Sequence, residues 1–245
     1  MKNAMKSPFL NRVLSTSSFS KSGDHPLNIS AFSRGIDLKI ATPVTFLVGE
    51  NGTGKSTLIE GIADLCGFNI TGGGRNHKYG GEHSCSSLAP HLRLSWLPKI
   101  TDGFFMRAES YFNFASYIDV LAESDDSILS AYGGKSLHNQ SHGESFLSLF
   151  SNRIGNGIYL LDEPEAALSP SRQLALMTIM SDLTKRGMAQ FIISTHSPIL
   201  ITFPGSSLFQ FSDNGIATVH YSQTDHFSLT KDFLNSPERY HRHIM

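Results

Sequence analysis

The chain has 245 residues, a formal net charge of −1 and two cysteines. This length suits one α/β domain over residues 1–245, with at most a small additional lobe. The near-neutral charge gives no whole-protein sign of a nucleic-acid or membrane-surface binder, but it leaves room for a local basic patch. Two cysteines and their neighbouring histidines fall short of the about four regularly spaced ligands that a closed zinc site needs.

The sequence shows no sign of a membrane segment. No stretch approaches the ~20 apolar residues of a membrane-spanning helix, and residues 1–6 lack the apolar run of a signal peptide. We therefore expect a cytoplasmic protein with no membrane insertion.

Residues 7–48 predict irregular strands that lead into a glycine-rich loop. The last of them, Val44–Val48, has the composition of a buried strand. After the loop, apolar residues recur at helical spacing from Thr57 to Leu65, and Gly67 follows as a stop signal. Strand, loop and helix in this order are what a phosphate-binding loop requires.

The loop matches the pattern G-x-x-x-x-G-K-[ST] at Gly49–Ser56. Glycines let the backbone curl so that successive N–H groups point at phosphate oxygens. Lys55 adds a positive charge near the β- and γ-phosphates, and the Ser56 hydroxyl can bind Mg²⁺. By itself the loop is equally compatible with a GTPase or a kinase. The predicted nucleotide-binding residues are Gly49, Glu50, Asn51, Gly52, Thr53, Gly54, Lys55, Ser56 and Thr57.

The middle of the chain predicts a flexible loop, a strand and a small helical lobe. Residues 67–90 are rich in glycine and polar side chains, and His91–Leu97 alternates like a half-buried strand. An aromatic and aliphatic stripe at helical spacing starts at Tyr111, and we interpret it as core packing and not as a base-stacking surface. Together these patterns predict a helical lobe over approximately residues 104–152.

A helix is predicted to begin at Ser141. Ser141 and Glu144 match the capping box S-x-x-E, which starts a helix without any further function. The same helix N-terminus has free N–H groups and a positive dipole end, and it can receive an anion. Local sequence favours neither interpretation.

Two buried strands are predicted to end in polar residues. Ile158–Leu161 is followed by Asp162 and Glu163, and Gln190–Ser194 is followed by His196. Ligands of open α/β sheets bind at such carboxyl ends. Asp162 is therefore predicted to hold Mg²⁺ together with Ser56, and Glu163 to orient a water molecule that attacks the γ-phosphate.

The rest of the chain predicts regular elements without chemistry of their own. An amphipathic helix spans Pro170–Lys185, and Ser169 and Pro170 are its start signal. Asp162 and Glu163 are therefore not needed as its cap. A β-hairpin follows around Asp213–Gly215, and a short helical tail begins near Thr230.

In this ordered set of motifs the chain resembles ATP-binding-cassette (ABC) ATPases. The matching segments are the Walker A loop Gly49–Ser56, a signature-like segment Ser141–Ser145, Walker B with its glutamate Leu160–Glu163, and the switch histidine His196. Asp162–Pro170 is similar to the soluble branch that includes RecF, the ATPase halves of OLD-like nucleases and the heads of structural-maintenance-of-chromosomes proteins. Phe104–Ser110 and Pro237–Tyr240 are similar to small stand-alone bacterial ATPases of that branch.

The resemblance implies a P-loop NTPase fold with a mainly parallel core sheet, an N-terminal β portion and a helical lobe. It further implies binding of ATP and Mg²⁺ and hydrolysis in a nucleotide-sandwiched homodimer. Lys55, Glu163 and His196 would be catalytic, and Ser141 and Gly143 of one copy would cover the γ-phosphate bound by the other.

Two features depart from the family pattern. ABC ATPases carry a glutamine between Walker A and the signature, but this chain has no glutamine before Gln140; Arg107 and Glu109 are the candidates for that position. No tyrosine precedes Walker A to stack on adenine. Phe32 is a candidate, although a strand phenylalanine is more often part of the core.

The process that the ATP cycle drives is left open by the sequence. The main expectation is a soluble ATP-driven switch or motor. The alternatives are the ATP-binding subunit of a membrane transporter, an ATPase of DNA repair or phage defence that acts with DNA, and an ATP-gated module that controls an effector protein.

Overall fold

The computed structural model describes residues 6–17, 19, 24–75, 85–124, 127–130, 134, 136 and 142–241. Its strands are β1 (Leu10–Ser15), β2 (Asp37–Lys39), β3 (Val44–Val48), β4 (Leu92–Trp96), β5 (Gly103–Arg107), β6 (Gly157–Asp162), β7 (Ala189–Ser194), β8 (Ser207–Ser212) and β9 (Gly215–Val219). Its helices are α1 (Lys55–Cys66), α2 (Tyr111–Ala122), α3 (Ser127–Ser130), α4 (His142–Arg153), α5 (Pro170–Lys185), α6 (Asp225–Asn235) and α7 (Pro237–His241).

The strands form two sheets. The core sheet has the order β5-β6-β7-β3-β8-β9, and every pair in it is parallel except the β8–β9 hairpin. The smaller sheet, β2-β1-β4, is antiparallel and comes from the N-terminal part of the chain. This confirms the predicted α/β fold with a mainly parallel core sheet and an N-terminal β portion.

Side chains of the core strands alternate between two hydrophobic clusters because successive residues of a strand point to opposite faces. Leu47 and Leu160 face α1 and the small sheet. Phe46 and Leu161 face α2, α4 and α5. All five residues of β3 and all six of β6 are buried, as is usual for parallel strands covered on both faces. Burying each large apolar side chain contributes about 1.5–3 kcal/mol.

The predicted start of the helical lobe at residue 104 is wrong. Gly103–Arg107 forms β5, the strand at one edge of the core sheet, paired in parallel with β6. A short apolar run such as Phe104–Met106 suits a buried strand and a buried helix equally, so periodicity could not separate them. The helices α2 and α4 follow within the predicted range and pack on the sheet through Phe114 and Phe150.

Several local predictions are confirmed. Helix α1 ends at Gly67, which has φ +76° in the left-handed conformation. Ser169 is the N-cap and Pro170 the first residue of α5, and the hairpin turns at Asp213–Asn214 between β8 and β9. The C-terminal helix α6 begins at Asp225 and not near Thr230, because extended Thr224 ends a short 3-10 turn and leads directly into it.

Gly103 is expected to be intolerant of any side chain. Its φ is +137°, and a Cβ there would lie 1.8 Å from the carbonyl oxygen of Ile158 on β6. Backbone strain and overpacking each cost about 1–3 kcal/mol, so Gly103→Ala should lower the free energy of unfolding by about 3 kcal/mol or more.

Gly155→Ala is the matched control, because a Cβ at Gly155 meets no atom within 4 Å. Urea unfolding of both variants measures the difference. A Gly103→Ala midpoint equal to that of Gly155→Ala would contradict the expected clash.

Within the described part of the chain, no helix is both long and apolar enough to cross a membrane.

Candidate functional site

The candidate site lies where the carboxyl ends of four neighbouring parallel strands meet. The phosphate-binding loop follows β3, Arg107 ends β5, Asp162 ends β6 and His196 follows β7. Arg107 is in register with Asp162, and Asp162 is in register with Ser194. Ligand sites of open α/β sheets form at this edge. The structure therefore brings together the predicted Walker A, Walker B and switch-histidine residues.

Glycines shape the loop. Gly52 and Gly54 have φ values of +78° and +97°, in the left-handed region that other residues avoid. A Cβ on Gly54 would also lie 2.8 Å from the Phe32 ring. Helix α1 begins directly after Gly54, so its free N–H groups and positive dipole end face the loop, as in an anion-binding site.

Lys55 lies inside the loop and not in solvent. Its side chain donates hydrogen bonds from Nζ to the carbonyl oxygens of Gly49 (2.7 Å) and Glu50 (2.9 Å), and only 4% of the residue is exposed. Burial lowers the pKa of Lys55, although the charges of Glu163 and Asp162 act in the opposite direction. The loop thus holds a concentrated positive charge beside backbone N–H groups, which suits phosphate oxygens.

Ser56 and Asp162 meet as predicted for a metal pair. Ser56 Oγ donates a hydrogen bond of 3.0 Å to Oδ1 of Asp162, although the two residues are 106 positions apart in the chain. Asp162 is buried, with 4% exposed. A hydroxyl and a carboxylate oxygen this close can bind one hard cation such as Mg²⁺, which prefers oxygen ligands.

Arg107 occupies the other side of Asp162. Its Nε donates to Oδ2 of Asp162 at 3.2 Å, and its guanidinium also pairs with Glu60 and, at 3.3 Å, with Glu109. Burial lowers the pKa of Arg107, but Glu60 and Asp162 outweigh it, so the pKa is raised and the charge is retained. Arg107, one of two candidates for the position of the missing glutamine, therefore contacts the predicted metal ligand directly.

Glu163 has an unusual backbone. Its φ of +50° is the only positive value among the non-glycine residues that the structure describes. Such a conformation costs on the order of 1–3 kcal/mol and is concentrated at functional sites. Its Oε1 lies 3.6 Å from Nε2 of His196. A cleft of about 490 Å³ lies beside it. The lining residues are Ser56, Arg107, Ala108, Glu109, Asp162, Glu163, Ala166 and Ala167.

His196 is held by its backbone, while one ring nitrogen remains available. Its N–H donates a 2.6 Å hydrogen bond to Oε1 of Glu165, a carboxylate whose pKa is raised by burial. Within the described residues Nε2 of His196 has no hydrogen-bond partner, although it is buried. Burial, followed by the charge of Lys55, lowers the pKa of His196. The ring is therefore neutral near pH 7 and faces Glu163 with a free polar atom.

Sequence reasoning missed His226. This residue lies in the first turn of α6, and its Nε2 is 3.0 Å from Nδ1 of His196. A single histidine near the C-terminus carries no local signal, and only the packing of α6 against the end of β7 places it here.

The predicted signature segment is described only in part. Ser141 lies outside the described residues. Gly143 is buried in the second residue position of α4, where a Cβ would lie 2.3 Å from Nη1 of Arg172 and 3.1 Å from the carbonyl oxygen of Ala167. Close packing within the subunit thus supplies a structural reason for this glycine, and its contact with nucleotide stays a prediction.

Phe32 belongs to the core and not to an adenine-stacking surface. It is fully buried and makes an edge-to-face contact with Phe211, with ring centroids 6.4 Å apart. The interpretation of Phe32 as a core residue is therefore confirmed, although the residue lies in a 3-10 turn (Ser30–Phe32) and not in a strand.

Comparison with known proteins agrees with this geometry. Residues 27–136 match a protein-family model described as "AAA domain", and residues 146–202 match one described as "AAA domain, putative AbiEii toxin, Type IV TA system". Together with the site's geometry, these matches support a P-loop ATPase of the ABC type. The solved structure of cbiO1 from Clostridium perfringens, part of the ABC transporter complex cbiONQ, has the same fold as this chain. Its TM-score is 0.51 at 17% identity, covering 97% of this chain and 99% of that one.

Curated relatives of the chain include two ribose import ATP-binding proteins. RbsA of Burkholderia mallei and RbsA 1 of Burkholderia pseudomallei are each 29% identical over 186 residues, or 66% of this chain. The match spans 36% of the first relative and 21% of the second, so the chain corresponds to only part of either protein.

Proposed function

We propose that this ABC-type ATPase binds ATP with Mg²⁺ in the cytoplasm, hydrolyses it between two copies of the chain and acts as an ATP-driven switch. One observation carries the proposal: Ser56, Asp162, Glu163 and His196, from three separate parts of the chain, converge beside the phosphate-binding loop. A metal pair, a carboxylate and an available imidazole nitrogen are the groups that phosphate hydrolysis by water requires.

Each residue has a role in this proposal. The loop N–H groups and Lys55 bind the phosphates, while Ser56 and Asp162 hold Mg²⁺, which neutralises charge that develops on the phosphates. Glu163 orients and polarises the attacking water. His196 donates a hydrogen bond from Nε2 to the γ-phosphate, since that nitrogen has no partner among the described residues.

The second copy completes the site. In the proposed dimer, the N-terminus of α4 in one subunit, with Ser141 and Gly143, covers the γ-phosphate held by the other. The helix dipole and free N–H groups favour this anion. Hydrolysis removes the γ-phosphate that joins the two subunits, so the dimer opens.

Gel filtration of Glu163→Gln tests the dimer. With ATP and Mg²⁺ the variant should elute as a dimer, and without nucleotide as a monomer, because ATP is bound but not consumed. The exposed substitution Glu238→Gln serves as the control, since Glu238 lies on α7 away from the site. A monomer at every ATP concentration, despite measurable ATP binding, would refute the sandwich.

Arg107 is expected to weaken Mg²⁺ binding. Its Nε lies 3.2 Å from Oδ2 of Asp162, so its positive charge competes with the cation. Once the guanidinium is removed, it no longer offsets the negative charges of Glu60 and Glu109. Arg107→Gln, which restores the family's glutamine, should tighten Mg²⁺ binding by about fivefold, equivalent to about 1 kcal/mol.

Titration of Mg²⁺ during binding of a fluorescent ATP analogue measures this change. Arg93→Gln is the control, because Arg93 is exposed on β4 of the small sheet. Weaker Mg²⁺ binding in Arg107→Gln would show that Arg107 supports the metal site instead.

A second candidate function is the ATP-binding subunit of a membrane transporter. The ribose import relatives favour it. The sequence Ser141–Glu144 departs from the transporters' L-S-G-G-Q, which argues against it. Purification of the tagged chain from detergent-solubilised membranes tests this candidate function. If the chain is a transporter subunit, an integral membrane protein should copurify with it in a stoichiometric amount.

The family matched by residues 146–202 is named for a toxin system, which favours a role in phage defence with DNA or an effector protein. The net charge of −1 gives DNA binding no support. ATPase activity stimulated several-fold by DNA, with stimulation lost as salt rises, would favour DNA. A protein that copurifies only in the ATP-bound state would identify an effector.

A further inference from the structure

His226 joins the C-terminal part of the chain to the switch histidine. The rings of His226 and His196 are 5.0 Å apart between centroids, at an interplanar angle of 61°, with the 3.0 Å contact between Nε2 and Nδ1. Thr224, just before α6, is buried and donates from its hydroxyl to the carbonyl of Tyr221. No residue of α6 itself is buried, so the helix is anchored at its first turn, beside the site.

The contact restricts where protons lie. Two imidazole nitrogens at 3.0 Å need one proton between them, so one ring donates and the other accepts. A neutral His196 carries a single N–H. If its Nδ1 donates to His226, its Nε2 has no proton and cannot donate to a phosphate oxygen. If its Nδ1 accepts, Nε2 carries the proton.

Two carboxylates favour the second arrangement. Glu50 Oε1 lies 3.7 Å from Nε2 of His226, which favours a proton on that nitrogen. Glu163 Oε1 lies 3.6 Å from Nε2 of His196, which favours a proton there as well. With both Nε2 atoms protonated, Nε2 of His226 donates the hydrogen bond and Nδ1 of His196 accepts it. Nε2 of His196 then carries the other proton.

We propose that His226 is a positioning residue that holds His196 in the Nε2–H tautomer, ready to donate to the γ-phosphate. The kinetic consequence rests on the ATP hydrolysis proposed above. The tautomer is a property of the protein without nucleotide and can be measured independently. Because Glu50 belongs to the phosphate-binding loop, His226 also connects α6 to that loop.

The kinetic test compares three substitutions. His226→Ala removes the donor, and His226→Asn retains polarity but is too short to reach, so each should lower kcat by roughly 10–100-fold, as for loss of other orienting partners. The KM for ATP should stay within about twofold, because the contact acts on the transition state. His226→Gln places an amide N–H near the position of Nε2 and should recover most of the activity. His241→Ala, exposed on α7, should behave as the natural chain does.

The structural test is ¹⁵N NMR of the histidine rings without nucleotide. Among the 11 histidines, His196 is assigned by its loss in the His196→Gln spectrum. The natural chain and His226→Gln should show His196 protonated at Nε2, and His226→Ala should shift it toward Nδ1.

Three outcomes would overturn the proposal: an Nδ1–H tautomer in the natural chain, unchanged kcat in His226→Ala, or equal losses in the Ala and Gln variants. The last outcome would mean that His226 acts only through packing. A natural chain with no ATPase activity would refute the proposed hydrolysis, and the NMR result would still decide the tautomer.

Discussion

Glu163→Gln is expected to lower the kcat of ATP hydrolysis by roughly 10²–10⁴-fold, the usual contribution of a general base. Glutamine has nearly the same shape but cannot accept a proton from the attacking water. The carboxylate stands next to Asp162 at the edge of the cleft, with Oε1 3.6 Å from His196. Its backbone is strained, with φ +50°, and strain of this kind is concentrated at functional sites.

ATP affinity should be unchanged by this substitution, because Lys55 and the loop N–H groups bind the phosphates. Phosphate release under saturating ATP measures the rate, and Glu238→Gln on α7 should retain full activity. If the kcat of Glu163→Gln lies within about threefold of the kcat of the natural chain, Glu163 does not act as the general base.

Lys55→Met is expected to abolish tight nucleotide binding. One hydrogen bond to a charged group contributes about 1.5–3 kcal/mol, which corresponds to a loss of roughly 10–150-fold in ATP affinity. Methionine keeps the buried stem of the side chain but removes the Nζ atom, which lies against the carbonyls of Gly49 and Glu50.

Folding stability should fall by only about 1–3 kcal/mol in Lys55→Met, since the loss of the hydrogen bonds to the loop carbonyls is offset in part by removal of a buried charge. Calorimetric titration with ATP and Mg²⁺ measures affinity, and thermal unfolding measures stability. Lys185→Met, exposed at the end of α5, is the matched control. Unchanged ATP affinity with intact folding would mean that nucleotide does not bind at this loop.

Much of the site could be predicted because its chemistry is encoded in short contiguous patterns. The loop Gly49–Ser56 carries its own glycines, lysine and hydroxyl, and the strand before it and helix after it follow from local periodicity. The polar residues after β6 and β7 are recognisable because each follows a buried apolar strand. Since parallel strands end at one edge, these segments had to meet there.

The remaining site residues depend on neighbours far away in the chain. Arg107 contacts Asp162 only because β5 pairs with β6, and the pattern of Phe104–Met106 did not identify β5 as a strand. His226 reaches His196 only because the first turn of α6 packs beside the end of β7. The position of Gly143 under Arg172 is likewise set by the packing of α4 on α5.

The sequence by itself determined the fold class, the phosphate-binding loop pattern, the predicted metal ligands Ser56 and Asp162, and the positions of Glu163 and His196 after their strands. These rest on local backbone conformation and on the alternation of apolar and polar residues, both of which act over a few residues. Only the tertiary structure decided that Arg107 forms an ion pair with Asp162, that Phe32 is a core residue and that His226 contacts His196. Strand order and helix docking set these contacts, and they depend on the packing of the whole core.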